Sequence, residues 1–170
     1  MALSTPFLVG DKELSLRFEN KQQRDIKANG PTKFFPEAKG LKWKSPMDIL
    51  NFLGDIDVEI YIIQKGLEWD GSGIEKITET IAADLRQEYL EQGDPDAGEK
   101  YEAFQSMLAD ALSLNIIGAS GKKLRARGEA EMTKDKDKRV EELAIIYEAQ
   151  ALAKERREQK KILSDSQSES

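Results

Sequence analysis

Asp55-Ile56-Asp57-Val58-Glu59-Ile60-Tyr61-Ile62-Ile63-Gln64-Lys65-Gly66-Leu67 is the stretch on which the fold turns. Ile56, Ile60, Ile63 and Leu67 fall four, three and four apart, the spacing that lines one side of an α-helix. The stretch therefore predicts a helix from Asp55 with one buried face. Asp55, Asp57 and Glu59 load its start with acid. Side chains two apart on a helix point roughly 200° away from each other, so these carboxylates do not converge on a cation. They read as a solvated helix start that the helix dipole favours.

Upstream, Pro6-Phe7-Leu8-Val9 and Glu13-Leu14-Ser15-Leu16-Arg17-Phe18 flank Gly10-Asp11-Lys12. Leu14, Leu16 and Phe18 alternate onto one side, and Gly-Asp between two such runs signals a β-hairpin. A lone hairpin is barely stable in water, so it is expected to dock on helices. Residues 19–29 read as a helix with a thin apolar stripe, Ile26 and Ala28, stopped by Asn29-Gly30-Pro31. Phe34-Phe35-Pro36 through Trp43 reads as extended or looped chain. Ser45-Pro46-Met47-Asp48 opens a short helix, with serine at the N-cap, proline in the first turn and aspartate at the positive end. Gly54 ends it.

Downstream, Trp69-Asp70-Gly71-Ser72-Gly73 is a loop, and Ser72 with Glu75 makes a capping-box pattern. The helix it predicts carries Ile74, Ile77, Ile81 and Leu85 and closes at Gly93. Asp96 and Glu99 repeat the capping pattern, and Tyr101, Phe104, Leu108 and Leu112 carry the next stripe to about Gly118. Residues 119–134 hold Gly121-Lys122-Lys123 and Arg125-Ala126-Arg127 and read as a basic linker. Residues 135–163 read as a final long helix, apolar nearly all round from Leu143 to Ala153 and charged from Lys154 to Lys161. Residues 164–170 read as a disordered polar tail. No internal repeat is evident. The fold class predicted is mainly α: a compact hairpin-plus-helix domain over 1–118, the linker, and a long C-terminal helix.

Charge divides the chain. Residues 1–120 hold 13 Lys+Arg against 21 Asp+Glu, a net −8; residues 121–163 hold 13 against 9, a net +4. An acidic body and a basic arm imply two working parts. The 170 residues contain neither cysteine nor histidine, which removes disulfides, thiol nucleophiles, thiolate zinc sites and imidazole acid–base chemistry. No run approaches the roughly 18 apolar residues of a membrane span. Met1-Ala2-Leu3-Ser4-Thr5-Pro6 lacks the blocks of a secretion signal, so an intracellular location is expected.

Gly93-Asp94-Pro95-Asp96-Ala97-Gly98-Glu99 lacks the ligand register of an EF-hand and reads as an interhelical turn. Gly118-Ala119-Ser120-Gly121-Lys122-Lys123 lacks the spacing of a phosphate-binding loop and reads as a hinge. The basic arm interleaves acids and has one aromatic, Tyr147, which argues against nucleic acid. Trp43 and Trp69 stand in predicted loops, either as interface anchors or as cover for the core. In the last helix, Leu143, Ile145, Ile146, Tyr147 and Leu152 cannot share one narrow seam, so that helix must be buried against something. Another chain and the body of this one are both open at this point. The partner-binding candidates are these five residues with Trp43 and Trp69. No catalytic residue, cofactor or metal is expected.

The layout resembles the tail assembly chaperones of long-tailed bacteriophages. The hairpin with Glu13-Leu14-Ser15-Leu16-Arg17-Phe18, the run Asp57 to Leu67, and a helix like Ile74–Leu85 after a short loop carry the resemblance, over roughly residues 8–115. It is one of pattern, and the polar first helix, the stretch Pro31–Lys44 and the long basic arm depart from it. The resemblance implies a non-enzymatic protein of the host cytoplasm, absent from the mature virion. Such a protein solubilises the tape measure protein and helps the tail tube protein assemble around it, with homo-oligomers possible and neither nucleic acid nor membrane as partner. It also raises a −1 frameshift at Gln159-Lys160-Lys161, just ahead of the tail. The competing readings are a capsid scaffolding protein, and an enzyme using Mg²⁺ on Asp55, Asp57, Asp94 and Asp96.

Overall fold

The structure, a computed structural model, describes residues 3–92, 97–117 and 136–168, with side chains over 3–92, 98–116 and 141–164. It is mainly α, with one hairpin at the start and one long helix at the end. The basic linker, the Asp94–Asp96 turn and Gly93 lie outside the described residues.

Strands β1 (Thr5–Val9) and β2 (Lys12–Leu16) pair antiparallel around Gly10-Asp11, in the register Val9↔Lys12 and Phe7↔Leu14. Gly10 takes φ 57°, the left-handed conformation that such a turn needs. Phe7, Val9, Leu14, Leu16 and Phe18 are all buried, as the alternation predicts. Both hairpin edges are closed. On β2, Ser15 N–H donates to the Ser72 carbonyl, and just beyond it Arg17 N–H donates to that of Gly66, each at 2.9 Å. On β1, Gln92 Nε2 donates to the Leu8 carbonyl (2.7 Å), while Gln92 Oε1 accepts from Gly10 N–H (2.6 Å). Pro6 lies two residues along the same edge as Leu8 and has no N–H to offer another strand.

Helix α1 (Asn20–Asn29) ends at Gly30, with Ile26 buried. Its second buried residue is Gln22, not Ala28, because the Gln22 amide donates to the Glu68 carbonyl at 2.9 Å. Two short 3-10 turns, Pro31–Lys33 and Pro36–Ala38, replace the predicted loop. The short helix after Ser45 is a 3-10 helix, Pro46–Phe52, closed by the predicted cap with Asp48 completing a capping box. Phe35, Trp43 and Phe52 stack around it, Phe52 lying 5.2 Å from Phe35 and 5.4 Å from Trp43.

Helix α2 (Ile56–Gly66) is capped by Asp55, whose Oδ1 accepts from the N–H groups of Asp57 (3.0 Å) and Val58 (3.3 Å). Of the predicted face Ile63 and Leu67 are buried and Ile60 is partly so, but the buried side is broader and leaves out Ile56. Val58, Glu59, Ile62, Ile63 and Gly66 face inward, whereas Ile56 is 55% exposed. Gly66 lets the helix meet the hairpin: a Cβ there would lie 2.8 Å from Leu16 and 2.9 Å from Phe18.

Helix α3 (Glu79–Glu91) starts later than the Ser72–Glu75 pattern predicts. Thr78 is the cap, its Oγ1 accepting from Ile81 N–H at 3.2 Å, and the Ser72 hydroxyl is spent on Ile74. Helix α4 (Ala97–Ile117) buries Phe104, Leu108, Ala111 and Leu112. The last helix, α5 (Lys136–Ser168), continues through Ser164–Ser168, so the predicted tail is helical that far and no joint falls at Lys161. Among the described residues no helix is long and apolar enough to cross a membrane.

Candidate protein-binding surface

Helix α5 packs on the body of its own chain. Among its described side chains, Ile146 (6% exposed) and Ala149 (2%) join the core. Ile146 descends toward the Trp43–Phe52 cluster, with Leu143 half-buried beside it. Charge completes the contact. Lys44 pairs with Glu142 (3.7 Å), Arg156 with Glu37, and Arg157 with Asp57 (2.9 Å) and Asp55 (3.9 Å). The basic arm therefore neutralises acid on the body, and Asp55 and Asp57 at the start of α2 pair with Arg157. The cations of these pairs are half or more exposed, so each pair contributes about 0–1 kcal/mol. Burying Ile146 contributes about 1.5–3 kcal/mol.

The candidates from sequence divide accordingly. Trp43 is 3% exposed and belongs to the core. Trp69 is half-buried and clamps the hairpin: its indole N–H donates to the Ser15 carbonyl at 2.9 Å, and the Arg17 guanidinium lies 5.0 Å above its ring. Ile146 and Leu143 face the body. Tyr147, 51% exposed, leans on Phe52 at 5.7 Å between ring centres. Ile145 (48%) and Leu152 (40%) face solvent. The apolar stretch is thus docked along one side only, contrary to burial all round, because a helix lying on one surface has just one face covered.

Sequence reasoning missed the most connected polar group. Glu59 is fully buried, not solvated. Its Oε1 accepts from Arg86 Nε (2.9 Å) and Nη2 (2.8 Å). Its Oε2 accepts from Gly54 N–H (2.9 Å), Tyr101 O–H (2.8 Å) and Gln105 Nε2 (3.4 Å). Arg86 also lies over the rings of Tyr101 and Phe104 at 6.0 and 5.8 Å. One carboxylate thereby ties α2, α3 and α4 together. The available signal was an acid inside the apolar run Val58 to Ile63.

A cleft of about 240 Å³ opens beside α2, where Lys33, Tyr61, Gln64 and Asp57 meet Glu79 and Arg157. Its two carboxylates face two cations, which leaves no excess charge for a metal. Among the described residues no three carboxylates cluster as metal ligands. Burial pushes the Tyr61 hydroxyl above its ordinary pKa, against the opposing hydrogen bond from Asn29. Burial likewise raises Tyr101, helped by Glu59. At Lys65, burial opposes the charge but Glu68 and Asp25 outweigh it, so its pKa rises.

Compared with known proteins, the chain matches no family model, no curated protein and no solved structure.

Proposed function

We propose that this protein is a tail assembly chaperone of a long-tailed bacteriophage, which binds a long helical client, the tape measure protein, keeps it soluble in the host cytoplasm and promotes assembly of the tail tube protein around it. The observation that carries the reading is the state of α5. Among its described side chains this 33-residue helix buries Ile146 and Ala149 on the body and adds a few ion pairs, and it presents Ile145, Leu152 and Ile162 to solvent. An exposed apolar seam on a charged helix suits reversible burial of a client helix. The work needed is binding, not bond chemistry, which agrees with a chain free of histidine and cysteine.

Co-expression with a candidate tape measure protein tests the proposal. The client is expected to move from pellet to supernatant when this chain is present. An unchanged pellet fraction across the candidate clients would overturn it.

A further inference from the structure

The solvent side of α5 repeats every seven residues. Glu141, Glu148 and Glu155 form one row, Ile145 and Leu152 a second, and Ala144 and Ala151 a third. Seven residues turn a helix by about 700°, roughly 20° short of two full turns, so each row runs nearly straight along the surface. All seven residues are exposed. Ile162 continues the glutamate row and is 67% exposed. The docked side is different: Glu142, Ile146, Ala149, Ala153 and Arg157 follow one another at four, three, four and four, and they point to the body. Two faces of one helix thus carry two separate patterns, one satisfied and one open.

The open side is also acidic. On the helical wheel Lys154, Lys160 and Lys161 fall away from the glutamate row, while Arg156 and Arg157 are engaged with Glu37, Asp55 and Asp57. A coiled-coil partner would meet Ile145 and Leu152 at one core position and Glu148 and Glu155 at the other. A second copy of α5 would bring the glutamates of residues 141–164 into that same seam, parallel or antiparallel, and over those residues no unengaged cation shares it. Like charges so placed repel. A basic partner removes the conflict.

We infer that the outer side of α5 is a docking seam for an amphipathic helix of another protein, one whose seam carries Leu or Ile together with Lys or Arg at seven-residue spacing. The inference deepens the chaperone reading, since it assigns the feature by which the client is selected. The seam itself stands on the spacing and exposure of its own residues.

The test uses the full chain and a synthetic four-heptad peptide with leucine at one core position and lysine at the other, titrated by fluorescence anisotropy. A second peptide has glutamate in place of each lysine. The lysine peptide is expected to bind at least about tenfold more tightly, and more weakly as salt rises. The double variant Glu148→Lys/Glu155→Lys should reverse the preference, and Ile145→Ser/Leu152→Ser should weaken binding of the lysine peptide. All four positions are exposed, so circular dichroism should show unchanged folding. Equal affinity for the two peptides, or no response to either double variant, would overturn the seam. So would sedimentation showing a wild-type dimer that the Ile145→Ser/Leu152→Ser variant dissociates, because the seam would then belong to a second copy. Solubilisation of the client without preference for the lysine peptide would remove this inference and leave the chaperone reading standing.

Discussion

Replacing Glu59 with alanine should be among the most damaging single changes in the molecule. The carboxylate is fully buried and accepts five hydrogen bonds from four residues. Its loss strands the Arg86 guanidinium, the Tyr101 hydroxyl and the Gly54 N–H together. Removing one partner of a buried pair costs about 3–5 kcal/mol, mostly from the charge left behind. Arg86 keeps 14% of its side chain in solvent, which places the estimate at the lower end, about 3 kcal/mol. With a urea m-value of about 2 kcal/mol/M, the unfolding midpoint should fall by about 1.5 M. Urea titration followed by circular dichroism at pH 7 measures it. The double variant Glu59→Leu/Arg86→Met should recover much of the loss, since an apolar pair of similar volume leaves no orphaned charge. A Glu59→Ala cost under about 1 kcal/mol, or a double variant no better than the single, would refute the reasoning.

Stability should decline above about pH 10, because Tyr61, Tyr101 and Lys65 all have folded-state pKa values above their ordinary 10.0 and 10.5. A raised pKa means that the folded state holds its proton longer, so the contribution is complete below the unfolded pKa and is lost as pH rises through the folded one; Tyr101→Phe should flatten that slope in urea titrations from pH 8 to 11. Deleting residues 135–170 should leave a core that still unfolds cooperatively, with a loss of about 2–4 kcal/mol from Ile146, Ala149 and the ion pairs; non-cooperative melting would instead make α5 integral to the domain. Ile146→Asp should undock α5 and expose the bond after Arg157 to trypsin, because a carboxylate is costly to bury where an isoleucine packs 6% exposed against the core. Gly73→Ala should cost about 1–3 kcal/mol by thermal melting, since Gly73 holds φ 96° and a Cβ would lie 2.7 Å from the Glu13 carbonyl oxygen.

Local signals were legible where one residue or one alternation decides the geometry. The Gly10-Asp11 turn, the inward Leu14, Leu16 and Phe18, the Ser45 cap and the Phe104–Leu108–Leu112 stripe could all be read directly. The exposure of Ile56 and the burial of Glu59 in α2 could not. Its run is apolar on several sides, and the choice between Ile56 and Val58 is made by Arg86, Tyr101 and Gln105 reaching Glu59 from distant helices. The start of α3 was misplaced because Ser72 and Thr78 are both competent caps, and the Ser72 carbonyl is held by β2. For α5, composition gave the length but not the side it buries. In the sequence the seven-residue rows are blurred by the intervening Ile146, Tyr147 and Ala149. Whether α5 served this chain or another also had no local answer; the acidic partners Glu37, Asp55 and Asp57 come from the body.

The most direct measurement is hydrogen–deuterium exchange across α5, with the protein alone and after co-purification with its helical client. Alone, α5 buries Ile146 and Ala149 among its described side chains, fewer than α2 or α4, so its amides are expected to exchange faster than theirs. In the complex, exchange over residues 141–164 should slow while α2 and α4 stay as they were. Protection confined to the hairpin or the central helices, with α5 unchanged, would contradict the account.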